Sequence, residues 1–185
     1  MTRHRAPLLL AAAFVVACGG RSEQQAASTD SAAVPADTAW TVSTTGFGPA
    51  HIGLTLAQLN TALGESLTLH DPIDPSCGHV SPRAFPAGVS LMIVDDSVAR
   101  VEVDTAGVRT ADGAQVGDSE QSVLALYVGR VQVMPHKYTG PEGHYLVVSA
   151  PGDTMSRIVF ETDGQRVERY RAGRRPAVDY VEGCA

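Results

Sequence analysis

The chain has 185 residues, of which 44% are apolar and only 5% aromatic, and 14 basic against 20 acidic residues give a formal net charge of −6. An acidic chain is repelled by phosphate backbones and by anionic membrane surfaces, which argues against nucleic acid as a partner. The length suits one domain with a real core once terminal segments are set aside.

Arg3 and Arg5 precede an uncharged run, residues 6–17, made mostly of Ala, Leu and Val. A bilayer-spanning helix needs about 20 such residues, so this shorter run suits the apolar part of a secretory signal. It ends in Val15-Val16-Ala17-Cys18, which resembles the lipobox of bacterial lipoproteins, with Val15 where Leu is commoner. The resemblance implies a signal peptide over 1–17, cleavage before Cys18 and acylation of that cysteine. The membrane would then be a partner through lipid, at about 0.8 kcal/mol per buried methylene. Gly19 follows the cysteine; in a Gram-negative cell the absence of aspartate there resembles the sorting pattern for the outer membrane, facing the periplasm. Without Arg3 and Arg5, 12 basic residues face 20 acids, a net charge of −8.

Residues 18–44 read as a flexible tether, rich in Ala, Ser, Gln, Asp and Gly and poor in large apolar side chains, so that burial cannot offset ordering entropy. About 26 flexible residues reach roughly 25–30 Å. In the body, Thr55 and Gln58 form a capping-box pattern, Leu56, Leu59 and Leu63 fall at helical spacing, and Gly64 suits a left-handed helix end. Asp71 to Pro75 lack the alternating oxygens and glycine of a calcium loop and read as a rigid lead into Cys77. Residues 88–104 read as a hairpin around Asp95-Asp96, with Val101 and Val103 on one side and Arg100 and Glu102 on the other.

Gly117-Asp118-Ser119 raises the question of a serine nucleophile, whose base must stand within hydrogen-bond reach. Hydrolases opening on this motif resemble one another in an Asp-x-x-His pair. Here Leu67, Ser76, Val133 and Pro141 stand three residues before His70, His79, His136 and His144. The alternative is a helix start. Ser119 is the N-cap, Glu120 favours the dipole, Val123, Leu124 and Tyr127 form the apolar face, and Gly129 closes the helix. Residues 144–173 then read as three strands, with turns at Pro151-Gly152-Asp153 and Asp163-Gly164.

With Cys18 used by the anchor, Cys77 and Cys184 remain, an even pair that in an exported protein suggests a disulfide. The alternative is a metal at Cys77-Gly78-His79, but Cys184 has no histidine beside it. No phosphate-binding glycine loop is present, and no metal or other cofactor is expected.

Ile52-Gly53, Thr55 and the leucines after them, matched by Val116-Gly117 and Ser119 at an offset of 64 residues, suggest an internal duplication. The first pattern resembles small envelope lipoproteins of the outer-membrane β-barrel assembly machinery; its tandem use resembles the β-lactamase inhibitor protein. The resemblance implies an α+β fold with two tandem helix-plus-antiparallel-sheet repeats, 45–112 and 113–185, forming one domain. Two departures stand out. The inhibitor holds a disulfide within each repeat, and its concave face is rich in aromatics.

Two stretches present themselves for a partner. His136, Lys137, Tyr138, His144 and Tyr145 surround a Gly-Pro turn, either a recognition loop or a solvated hairpin tip. Arg166, Arg169, Arg171, Arg174 and Arg175 stand in an otherwise acidic chain, either facing an anionic partner or guarding a solvated edge strand. The reading is a non-catalytic, lipid-anchored envelope module that binds a protein or other envelope component. A periplasmic enzyme inhibitor or immunity-type protein, and an envelope hydrolase, are the alternatives.

Overall fold

The computed structural model describes residues 40–184. Cys18, the leader and residues 18–39 of the expected tether lie outside them. The chain is already ordered before residue 44: Val42 is fully buried, and Trp40 packs edge-on against Phe47 and Phe85 at centroid distances of 5.7 and 5.8 Å. Three two-residue strands, β1 (Val42–Ser43), β2 (Gly46–Phe47) and β3 (Ala50–His51), form a small antiparallel sheet.

Helix α1 (Leu56–Leu63) starts as its residues dictate. The Gln58 N–H donates to the Thr55 hydroxyl at 3.2 Å, and the Thr55 N–H donates to the Gln58 side-chain oxygen at 2.9 Å. Gly64 ends it at φ 66°. Helix α2 (Glu120–Leu126) is capped by Ser119, whose hydroxyl accepts the Ser122 N–H at 3.1 Å. It ends at Tyr127, two residues before the expected glycine, because the Tyr127 ring turns into the core, where it is fully buried.

The rest is strand: β4 (His70–Asp74), β5 (Cys77–Val80), β6 (Val89–Val94), β7 (Ser97–Val103), β8 (Val131–Pro135), β9 (His144–Ala150), β10 (Asp153–Thr162) and β11 (Val167–Arg174). They form one antiparallel sheet in the order β4-β5-β6-β7-β11-β10-β9-β8. Asp95 and Asp96, both at positive φ (47° and 61°), make the tight turn between β6 and β7.

This overturns the expected α+β fold of two tandem helix-plus-sheet repeats. The described chain is mostly β. Its two helices are 8 and 7 residues long and bury one residue each, Leu59 and Val123, too little to form layers of their own. The strands are not partitioned either, since β7 and β11 hydrogen-bond from Val103↔Tyr170 to Arg100↔Gly173 and make a single sheet. That ladder also corrects the edge-strand reading of the arginine-rich stretch: β11 lies in the middle. The edges are β4 and β8.

Alternation along the strands sorts two faces. Leu91, Ile93, Val101, Val103, Leu146, Val148, Ile158, Phe160, Tyr170 and Ala172 share the main core with Leu59, Val123 and Tyr127. Their strand neighbours Met92, Arg100, Glu102, Tyr145, Val147, Val159, Glu161 and Arg171 point to the opposite face. Gly173 lets β7 approach. A Cβ there would run into the Ala99 carbonyl oxygen and lie 2.8 Å from the Arg100 Cα. Gly173→Val is therefore expected to cost about 2–3 kcal/mol or more, because the backbone of β7 must move; urea unfolding with the disulfide intact measures it.

Candidate functional site

The face opposite the helices carries charges that are almost wholly out of water. Arg100 on β7 is 3% exposed, Arg171 on β11 and Glu161 on β10 are 6% exposed. A guanidinium in such a place needs acceptors for its donors. The C-terminal segment supplies several of them, while Arg100 Nε is left without a partner among the described residues. Arg100 donates from Nη1 to the carbonyls of Ala177 (2.8 Å) and Tyr180 (2.7 Å), and Arg171 donates from Nε to the carbonyl of Val178 (2.7 Å).

This segment, 176–184, runs as a strap over the sheet. Val178 is fully buried among Tyr145, Val147 and Val159. Arg157 and Arg175 pair with Asp179 at 3.1 and 2.7 Å. The far end is held by Lys137 Nζ on Glu182 (2.6 Å), by the Tyr138 hydroxyl donating to the same carboxylate, and by the Cys77–Cys184 disulfide, with Cα atoms 5.5 Å apart. The bond expected from the cysteine count is thus present, and its role is to pin the strap to β5.

Two carboxylates complete the arrangement. Glu102 pairs with Arg100, lies 3.0 Å from His79 Nε2 and accepts from the Ser90 hydroxyl at 3.3 Å. Burial by itself raises its pKa, but the His79 hydrogen bond and the Arg100 charge outweigh burial and hold it at about 2. Glu161 pairs with Arg171, and its Oε2 lies 3.4 Å from both His136 Nε2 and Arg169 Nε. The His136 ring stacks on Tyr145 at 4.4 Å. Burial lowers the Arg100 pKa and raises that of Tyr145, while the Lys137 and Tyr138 hydrogen bonds lower that of Glu182. Between the strap and the sheet opens a cleft of about 350 Å³, bordered by His79, Ser90, Asp104, Arg169 and Gly183.

The residues singled out from sequence divide. His136, Tyr138, Tyr145, Arg169 and Arg171 meet around this strap and cleft. His144 does not join them. Its Nδ1 lies 2.8 Å from Glu120 Oε1 at the start of α2. Arg166 is also elsewhere, donating to the Gly117 carbonyl at 2.8 Å. The hydroxyl of Ser119 is engaged by the Ser122 N–H and lies 2.8 Å from the Ser122 hydroxyl, as a cap. Among the described residues no three His, Cys, Asp or Glu side chains converge as a metal site. Sequence reasoning missed His79, Arg100, Glu102 and Glu161 as members of the site. The available signal was the Arg100/Glu102 alternation against Val101/Val103, but strand register decides what lies across from it.

The arrangement holds fixed charges and reads main-chain carbonyls. Three measurements test it. Glu102 titrates far below its ordinary value of 4.5, so its contribution is present above that value and lost as pH falls towards about 2. Stability is expected to drop over that window by at most about 3 kcal/mol, and Glu102→Gln flattens this part of the acid profile in chemical-unfolding scans. Cys184→Ser removes a link spanning 107 residues; on the chain-entropy account it costs about 4–5 kcal/mol and exposes the strap to limited proteolysis. Arg171→Met leaves the buried Glu161 with Arg169 and His136, each at 3.4 Å, and is expected to cost up to about 3–5 kcal/mol by thermal unfolding.

Compared with protein families and with curated proteins, the chain matches none. Among solved structures it is similar to the uncharacterized protein yfeY from Escherichia coli, at a TM-score of 0.45 and 13% identity, over 72% of this chain and 99% of that one.

Proposed function

We propose that the chain is an exported, lipid-anchored binding module of the cell envelope, tethered through an acylated Cys18. It takes a protein or other envelope component on the cleft beside the strap and on the adjoining 136–143 loop. The observation that carries this reading is the state of the charges in the cleft. Glu102, held at about 2 by His79 and Arg100 despite its burial, keeps no proton to give near neutral pH, and Glu161 is enclosed by Arg171, Arg169 and His136. Glu102 tied in this way offers fixed charge and hydrogen bonds, which recognise; proton transfer needs a group poised near the working pH.

The rim supplies contacts that a partner can reach. Tyr138 is 59% exposed and the Arg169 side chain 63% exposed. An exposed Tyr and Arg at the border of a sheltered polar cleft are the residue types that dominate binding energy in interfaces. The disulfide suits an oxidising compartment, in keeping with export.

Two results are expected. Cys18→Ala shifts the protein from the membrane fraction to the soluble fraction and abolishes labelling by radioactive palmitate. Affinity capture from envelope extracts recovers a partner with the native protein and loses about tenfold or more of it with Tyr138→Ala or Arg169→Ala, each change leaving thermal stability within about 1 kcal/mol. Turnover of a substrate with no partner captured would reverse the reading.

A further inference from the structure

Strand β8 closes one side of the large sheet and bonds only to β9. Its outer side is unpaired among the described residues. The Ser149 N–H donates to the Arg130 carbonyl (3.2 Å), and the His136 N–H donates to the Gly143 carbonyl (2.8 Å). In an antiparallel ladder bonded positions alternate, so residues 130, 132, 134 and 136 face β9. The N–H and C=O groups of Val131 and Val133, and the C=O of Pro135, therefore point outward.

This edge lacks the usual protection. Sheet edges are ordinarily blunted by charge, proline or irregular register. The opposite edge, β4, has all three: Asp71, Pro72 and Asp74 in its sequence, and a register break between His70 and Asp74. The sequence of β8 is Val-Gln-Val-Met-Pro, without a charge, and its proline stands only at the end. Val133 and Met134 are 48% and 43% exposed, and just before the strand Leu124, Leu126 and Val128 are also exposed.

We propose that β8 pairs antiparallel with β8 of a second copy of this chain, joining two large sheets across a two-fold axis. The outward groups match a strand with an equally free and uncharged edge. The chain itself provides one. Two copies are both acidic and repel in general, but β8 brings no charge of its own to the contact. Pairing β8 with the β4 of another copy would meet the blunted edge and would propagate without closing, whereas β8 with β8 closes after two. A two-fold centred on Gln132 or on Val133 makes about four main-chain hydrogen bonds in either case. Both registers put Val131 and Val133 of the two copies on one face.

The full-length protein in detergent tests this. It is expected to sediment as a dimer at tens of micromolar. Facing Cα atoms in an antiparallel pair lie about 4.5–5.5 Å apart, within disulfide reach, and the next position lies about 8 Å away. Under copper-phenanthroline oxidation one of Gln132→Cys and Val133→Cys forms a covalent dimer and the other does not. Ser66→Cys, exposed in the loop after α1, gives none. Val133→Lys sets like charges together and lowers the dimer fraction about tenfold or more, with an unchanged circular-dichroism spectrum. A monomer throughout the concentration range, cross-linking that is equal at all three positions, a dimer that survives Val133→Lys, or β8 occupied by a strand of another protein would overturn the proposal.

Discussion

A guanidinium removed from water has to find acceptors inside the protein, and Arg100 and Arg171 find theirs in one short segment of main chain. The carbonyls of Ala177, Val178 and Tyr180 are those acceptors. Much of the polar face follows from that requirement. The strap must lie where the carbonyls meet the arginines, which places Val178 among Tyr145, Val147 and Val159 and leaves a cleft beside it. Glu102 and Glu161 then balance the two positive charges. Buried ion pairs of this sort add little net stability, but removing one member leaves a charge with no answer. The network holds the C-terminal segment where its carbonyls meet the two arginines.

The seam between β7 and β11 is where this network and the sheet coincide. Arg100 and Glu102 stand on β7, Arg169 and Arg171 on β11, and the strands approach closely because residue 173 has no side chain. The same ladder merges the first and last strand groups into one sheet. Backbone pairing, apolar packing below and ion pairing above all converge on four residues of each strand, so local and global preferences agree there.

Local grammar was legible in the sequence. The Thr55/Gln58 box, Gly64, Ser119 and the Asp95-Asp96 turn all depend on neighbours within four residues, and the structure realises each. The pairing of Cys77 with Cys184 was also legible, by counting. What was not legible depends on partners far along the chain. Strand β8 and the short strands β4 and β5 carry weak alternation, and their existence rests on the neighbours they bond. Arg171 reads in sequence like any surface arginine; Glu161 beside it and Val178 above it make it a buried one. The arginine-rich stretch looked like an edge because charge usually marks edges, yet here the charge is matched across strands and turned under the strap. The two-repeat α+β expectation failed for the same reason, since nothing local announces that β7 will take β11 as its neighbour.

That pairing joins residues 100–103 to residues 170–173. A chain synthesised amino end first has β7 complete long before β11 arrives. Closing such a distant contact carries a large loop entropy, and sheets built this way assemble slowly. Through that interval the valines of β6 and β7 lack their cover and the buried arginines lack their carbonyls. The two halves of the sheet can therefore join only once the last strands and the strap are in place.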